Sequence, residues 1–510
     1  MAASQGRLAA RVGAGILLTR VLGFVRERVF AHYFGDGVAA DAFRAALRIP
    51  NVIRNLLGEG TLSASFIPVY AGMIERGETE DARRLSSVIA SVLVLLTALL
   101  ALVGILLAPV ITAFVAPGFS GARRDLTVTL VQIMFPMSGV MILSAWCLGI
   151  LNTHRRFFLS YAAPALWNIA QITTLVALGG LLVELRLVVA LAWGALAGSL
   201  LQLLVQLPAT LRLAGGVGWR LDLGAPGVRT VVRRWVPVIV GAGAYQISSI
   251  IDTQLASLLP PGAVAILGYA QLVAILPVSL FGISVAAVAL PELSRDVAAD
   301  DRGVLRNRVG AGTRRIAYFV LPAAVGLGAL SPQIIGALFQ TGAFGAAQTA
   351  IAAGVLSAYA IGIPAQASLK LFASGHYARG DTKTPVRFGI LSVAVSAVSA
   401  YLLMRRFGPA GIALGAAIAA WVNASLNFGA LSRRVGRILD ATERRAVTLS
   451  VISTVPAALA GVAVTRALAV QPLWLSAVAA VLAFAGVYGV LTLVLRHPEA
   501  RRVWSSIRRR

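Results

Sequence analysis

The sequence predicts an all-α, polytopic membrane protein of about 14 transmembrane helices, a span needing about 20 apolar residues. Three observations carry this. Hydrophobic residues make up 58% of the 510 and charged residues only 13%, with a mean hydropathy of +0.83. A soluble domain is about 45–50% apolar and about 25% charged, so several soluble domains of this composition would lack the charge to coat themselves. Apolar stretches of spanning length follow one another from end to end, with short loops between them. Gly and Pro markers also recur at nearly constant spacing, as an internal repeat would give.

The first six stretches lie at 9–33, 40–73, 86–115, 125–150, 161–183 and 188–211. The first carries Arg20, Arg26 and Arg28 and lacks a small-residue cleavage site after a clean apolar core, so it is expected to persist as a helix. In the second, Pro50 should kink or break the helix, and Gly58-Glu59-Gly60 should loosen it again. Six more stretches follow at 235–259, 263–292, 316–340, 349–375, 386–404 and 411–431, and a last pair at 446–468 and 473–495. The longest polar stretch, 293–315, is too short for a soluble domain.

Val12-Gly13-Ala14-Gly15 recurs as Val240-Gly241-Ala242-Gly243, and Pro136 and Pro364 share that offset. Pro164 and Pro385, and Gly194 and Gly415, share a slightly shorter one. Equivalent helices are therefore six apart. Six is even, so the halves run the same way, a parallel repeat about an axis along the membrane normal. The expected organisation is an N-terminal lobe at 1–234, a C-terminal lobe at 235–445, and a helix pair with a basic tail at 446–510.

The net charge of +25 would point to nucleic acid in a soluble protein. Here most Lys and Arg fall in the termini and alternate loops, while the opposite loops hold only Arg123, Arg124, Arg186, Arg405 and Arg406. Basic residues collect on the cytoplasmic side, so both termini are expected there and no nucleic-acid partner is needed. Cys147 is the only cysteine, which excludes a disulfide framework or a Cys-rich metal site. The four histidines are scattered without an H-E-x-x-H spacing. No catalytic residue, metal or cofactor is expected. Gly35 to Ala40 matches G-x-G-x-x-A but follows an apolar helix rather than a strand, so it reads as a turn.

The informative residues are the basic ones inside helices: Arg20, Arg26, Arg28, Arg44, Arg48, Arg54, Lys370 and Arg466. An arginine at the bilayer centre costs about 2.5–3.5 kcal/mol. Arg28, Lys370 and Arg466 are placed to snorkel from helix ends. Arg20 and Arg26 are six residues apart, about 9 Å along the helix and about 120° out of alignment, so they would line two walls of a wet cavity. Asp41, Arg44, Arg48 and Asn51 share one face of the second helix. Asp41 is expected to pair with Arg44 or with a first-helix arginine, and Arg54 faces inward only if Pro50 breaks the helix. A cavity of arginines with few acids suits an anion, and the planar guanidinium fork suits phosphate.

At these residues the chain resembles the MurJ (MviN) lipid II flippase family. The resemblance rests on Thr19 to Glu27, Asp41-Ala42-Phe43, Pro50 to Arg54, Glu59 to Pro68, His376-Tyr377-Ala378 with Asp381 to Pro385, and Trp421-Val422-Asn423-Ala424. It implies a MATE/MOP-like fold, two lobes around a central cavity in a bacterial inner membrane. The implied substrate is lipid II, a polyprenyl-diphosphate-linked glycopeptide used for cell wall synthesis. It would be moved by alternating access, in contact with the cell-wall synthesis machinery, and driven by membrane potential or an ion gradient. The resemblance carries the substrate-binding role to Arg20, Arg26 and Arg54, with Asp41 as the acidic partner. One departure stands out: Gln271 replaces the arginine many relatives have in helix eight. Asp252 is the acid of helix seven and reads either as part of an ion site or as a structural hydrogen-bonding group. Other polyprenyl-diphosphate flippases, a MATE-like drug exporter and a non-transporting scaffold of the same fold remain open at this point.

Overall fold

The computed structural model describes residues 2–282 and 302–508, and these form α-helices joined by short turns. The end of the predicted stretch 263–292 and part of the polar stretch 293–315 lie outside the described residues. The chain divides into two compact units, Met1–Ala265 with Thr341–Ala343, and Ile266–Gln340 with Phe344–Arg510.

The first unit begins with α1 (Ala2–Phe34). The second predicted stretch is three helices, α2 (Val38–Ala46), α3 (Arg48–Leu57) and α4 (Glu59–Glu75). The first break falls at Leu47, so that Pro50 sits in the first turn of α3, where a missing N–H costs no helical hydrogen bond. The second falls at Gly58, where a Cβ would lie 2.4 Å from the Arg54 carbonyl oxygen. Only glycine fits that turn. Next come α5 (Thr79–Leu106), α6 (Ala108–Val115), α7 (Gly121–Thr153), α8 (Phe157–Ala162), α9 (Pro164–Leu178), α10 (Glu184–Leu213) and α11 (Val228–Ser257). Phe66, Tyr70, Leu85, Val88, Leu93, Ile142 and Trp146 knit α4, α5 and α7 into one core.

Helix α12 (Ala263–Pro277) ends in a π-turn at Val278–Gly282. The second unit continues with α13 (Arg302–Ala329), bent by 76° against α14 (Ser331–Phe339). It then holds α15 (Ala346–Ala378), α16 (Lys383–Phe407), α17 (Pro409–Val435), α18 (Ala441–Ala467) and α19 (Leu473–Val494). A short helix, α20 (Pro498–Arg508), occupies what the sequence presented as a basic tail. Tyr318, Leu330, Phe484 and Tyr488 form the core of α13, α18 and α19, and the Tyr488 hydroxyl donates to the Tyr318 carbonyl at 2.8 Å.

Lipid tails are as apolar as leucine, so packing of small residues rather than exclusion from water brings such helices together. The repeat markers show this. A Cβ on Gly194 would lie 2.3 Å from the Thr174 hydroxyl, between α9 and α10, and one on Gly415 would lie 2.5 Å from the Ala400 nitrogen, between α16 and α17. Both mark close helix crossings. Among the described residues nine helices are long and apolar enough to cross a membrane, ten if the bent α13–α14 pair is one span. The remaining predicted stretches, at α1, α2–α4, α8–α9 and α11, are helical without meeting that test.

Candidate functional site

The break at Leu47 re-aims the arginines of α2 and α3 relative to those of a straight helix. Glu27, on α1, stands between two arginines: it accepts from Arg26 at 2.5 Å and from Arg44 at 2.6 Å. The Arg26 guanidinium lies over the Trp167 ring at 4.6 Å, and Arg44 over Phe30 at 5.2 Å. All three charged side chains are mostly buried, at 12–18% exposure. One carboxylate thus bridges two guanidinium groups on neighbouring helices.

Further along, Arg48 donates from Nε to the Thr253 hydroxyl at 2.7 Å. Its charge also acts on the neighbouring Asp252, whose buried Oδ1 has no hydrogen-bond partner among the described residues. Arg54 is half-buried and directs Nη1 to the Met141 sulfur at 3.6 Å. Arg20 is exposed and makes no ion pair among the described residues, so it stands apart from the Glu27 cluster. Arg28, Lys370 and Arg466 are exposed as well.

The expected pairing of Asp41 is corrected. Asp41 is fully buried, yet its partner is Arg123 of α7, not Arg44 or a first-helix arginine. It also accepts the backbone N–H groups of Gly262 at 2.7 Å and Ala265 at 2.8 Å, at the start of α12. The carboxylate is thereby satisfied, with a helix N-terminus as one of its partners. Arg123, which the sequence puts in the loop before the stretch at 125–150, lies in the first turn of α7.

Sequence reasoning missed Glu27. It is adjacent to Arg26 and therefore about 100° away around the helix, which hides the pair from a face-based reading. The signal that was present is an acid inside an apolar helix, which demands a partner. Gln271 lies in α12 of the second unit, two residues after Tyr269, which is buried against Phe339 and Phe344 at ring distances of 5.1 and 5.0 Å.

The fold is that of membrane transporters. It is shared with a multidrug resistance MATE family transporter of the MOP superfamily in an inward-facing conformation, at a TM-score of 0.67 and 14% identity, covering 82% of this chain and 95% of that one. A likeness of 0.80, at 22% identity and 95% and 98% coverage, joins it to the structure titled "Lipid II flippase MurJ, inward closed conformation". The sequence profile described as "Lipid II flippase MurJ" matches residues 30–484. The protein named "Probable lipid II flippase MurJ" from Rhizobium tropici is 34% identical over 489 residues, covering 95% of this chain and 91% of that one. The chain belongs to the MurJ lipid II flippase family.

Proposed function

We propose that this protein flips lipid II across a bacterial inner membrane, from the cytoplasmic to the outer leaflet, for peptidoglycan synthesis. The observation that carries the reading is family membership over nearly the whole chain. The arginines gathered on α1 to α3 support it, because a diphosphate is an anion that guanidinium donors fit. Arg20, Arg26 and Arg54 bind the diphosphate in alternating access, and Asp41 holds the second helix in place for them. No covalent step is involved. Membrane potential or an ion gradient gives direction, with Asp252 as the candidate coupling group. Both termini are cytoplasmic, in keeping with the distribution of basic loops, and enzymes that make or polymerise lipid II are the expected neighbours.

The test is replacement of an essential lipid II flippase by this chain in depleted cells, with lipid II binding measured on the purified protein. Growth together with binding of lipid II is expected. A well-expressed chain that neither restores growth nor binds lipid II overturns the reading.

A further inference from the structure

A second cationic site lies in the first unit, lined by none of the residues assigned above. A cavity of about 440 Å³ is lined by Arg155, Arg156, Phe157, Phe158 and Leu159, from the turn after α7 and from α8, and by Ala209, Arg212 and Leu213 from the end of α10. It holds three arginines and no acid. None of the three makes an ion pair among the described residues. The C-termini of α7 and α10 each bring roughly half a negative charge, which offsets about one of the three positive charges and leaves the rest.

A helix-ending turn, of the same kind that Arg496 makes after α19, presents Arg155 to the cavity. Arg155 has φ of 57°, a left-handed conformation that disfavours any side chain. Its N–H reaches the Asn152 carbonyl at 3.1 Å and that of Arg156 reaches Leu151 at 2.8 Å, the helix-ending turn in which glycine fits with least strain. Arginine stands there instead and lines the cavity.

The remaining surface says what kind of anion is held. Leu201, Val205, Pro208 and Arg212 fall at i, i+4, i+7 and i+11 on α10 and form one stripe. Leu201 and Val205 are 48% and 47% exposed, and Leu204 beside them 58%. The stripe runs along a membrane-spanning helix and ends at the arginines, and Phe158 is exposed at the same mouth. Apolar chain below and phosphate-binding charge above describe one amphiphile. We propose that this cavity binds the phosphate headgroup of an anionic glycerophospholipid of the bilayer, with its acyl chains along α10. The stripe faces outward to lipid, which favours a resident phospholipid over the transported substrate.

The inference does not depend on the transport reading. The experiment is native mass spectrometry of the full chain released from detergent, titrated with phosphatidylglycerol, phosphatidylcholine and a polyprenyl diphosphate. The wild type should retain phosphatidylglycerol over phosphatidylcholine. Arg155→Gln/Arg156→Gln/Arg212→Gln should weaken that retention by about tenfold or more, since each arginine lost removes a charge-assisted contact. Arg405→Gln/Arg406→Gln, which removes two exposed arginines elsewhere, should leave it unchanged. Arg155→Gly keeps the turn and relieves its strain, so it should weaken retention without lowering the melting temperature. Equal phosphatidylglycerol retention by wild type and the triple variant overturns the proposal. So does a triple variant that loses only the polyprenyl diphosphate, which would make the cavity part of the substrate path.

Discussion

Two ion clusters, one in each unit, use the same side chains in opposite proportion. In the first unit Glu27 stands between Arg26 and Arg44. In the second, Arg314 of α13 stands between two acids, donating to Glu443 of α18 and to Glu499 of α20, both at 2.9 Å. There Arg314 is 8% exposed, and Arg502 and Arg315 close the outer side of Glu499 at 3.0 and 3.8 Å. The second cluster ties three helices together through the buried hydrogen bonds of one guanidinium. The first joins α1 and α2 through one carboxylate. A guanidinium buried between acids of two other helices acts as a clamp, since removing it uncouples them, whereas we propose that the first cluster meets the transported anion. Charged residues of this protein would then divide into a structural set and a ligand-binding set.

That division can be broken most readily at Arg314. Arg314→Ala leaves Glu443 and Glu499 buried without their shared cation, and breaking such a pair costs about 3–5 kcal/mol. The expected outcome is a large loss of melting temperature and membrane level, with lipid II affinity per folded molecule unchanged. A folded, stable Arg314→Ala protein would show that the cluster does not clamp α20.

Arg26→Ala and Arg54→Ala should behave the other way round. A hydrogen bond to a charged group contributes about 1.5–3 kcal/mol, so each should weaken lipid II binding about ten- to a hundredfold, with protein levels near those of the wild type. Arg→Lys should rescue only in part, because lysine keeps the charge and loses the fork. Normal binding by both Ala variants, and by Arg20→Ala, would remove these residues from the diphosphate site.

A smaller effect is expected at Glu27. Glu27→Gln breaks both ion pairs, so the melting temperature should fall, while diphosphate binding holds or tightens because a competing carboxylate is gone. Loss of binding in a folded Glu27→Gln protein would assign Glu27 to aiming the two arginines. Asp252→Asn sharpens the same contrast. It should alter the ion dependence of transport while leaving lipid II binding intact, and an unchanged ion dependence would leave Asp252 as a counter-charge to Arg48.

The smallest effect is a pH dependence in the turn between α15 and α16. Burial pushes the Asp381 carboxyl up, but donors from Thr384 and the Arg434 guanidinium outweigh it and hold the group well below the usual carboxylate range. A carboxyl lowered on folding stabilises above its unfolded value of about 3.9 and loses that contribution as pH falls further. Asp381→Asn should therefore lower the melting temperature slightly at neutral pH. The gap from the wild type should narrow on acidification below about pH 4, as followed by thermal unfolding across pH.

How much was legible varies by residue. The class of protein followed from composition, because too few charges exist to coat soluble domains. The interruption of the second stretch followed from Pro50 and Gly58, since a missing N–H and a missing Cβ act within a few residues. The break itself fell at Leu47, as proline is accommodated in a first helical turn. Helix α20 was hidden by its arginines, which read as a tail until Glu499 met Arg314.

What the sequence alone determined was local: which stretches are apolar, which turns need glycine, and that arginines gather on the first helices. The tertiary structure alone decided which acid each arginine meets. Asp41 and Arg123 lie 82 residues apart, Glu27 and Arg44 17, and Arg314 and Glu499 185. An ion pair needs its atoms within about 4 Å, and that proximity depends on how separate helices cross, which side-chain spacing along a single helix does not encode.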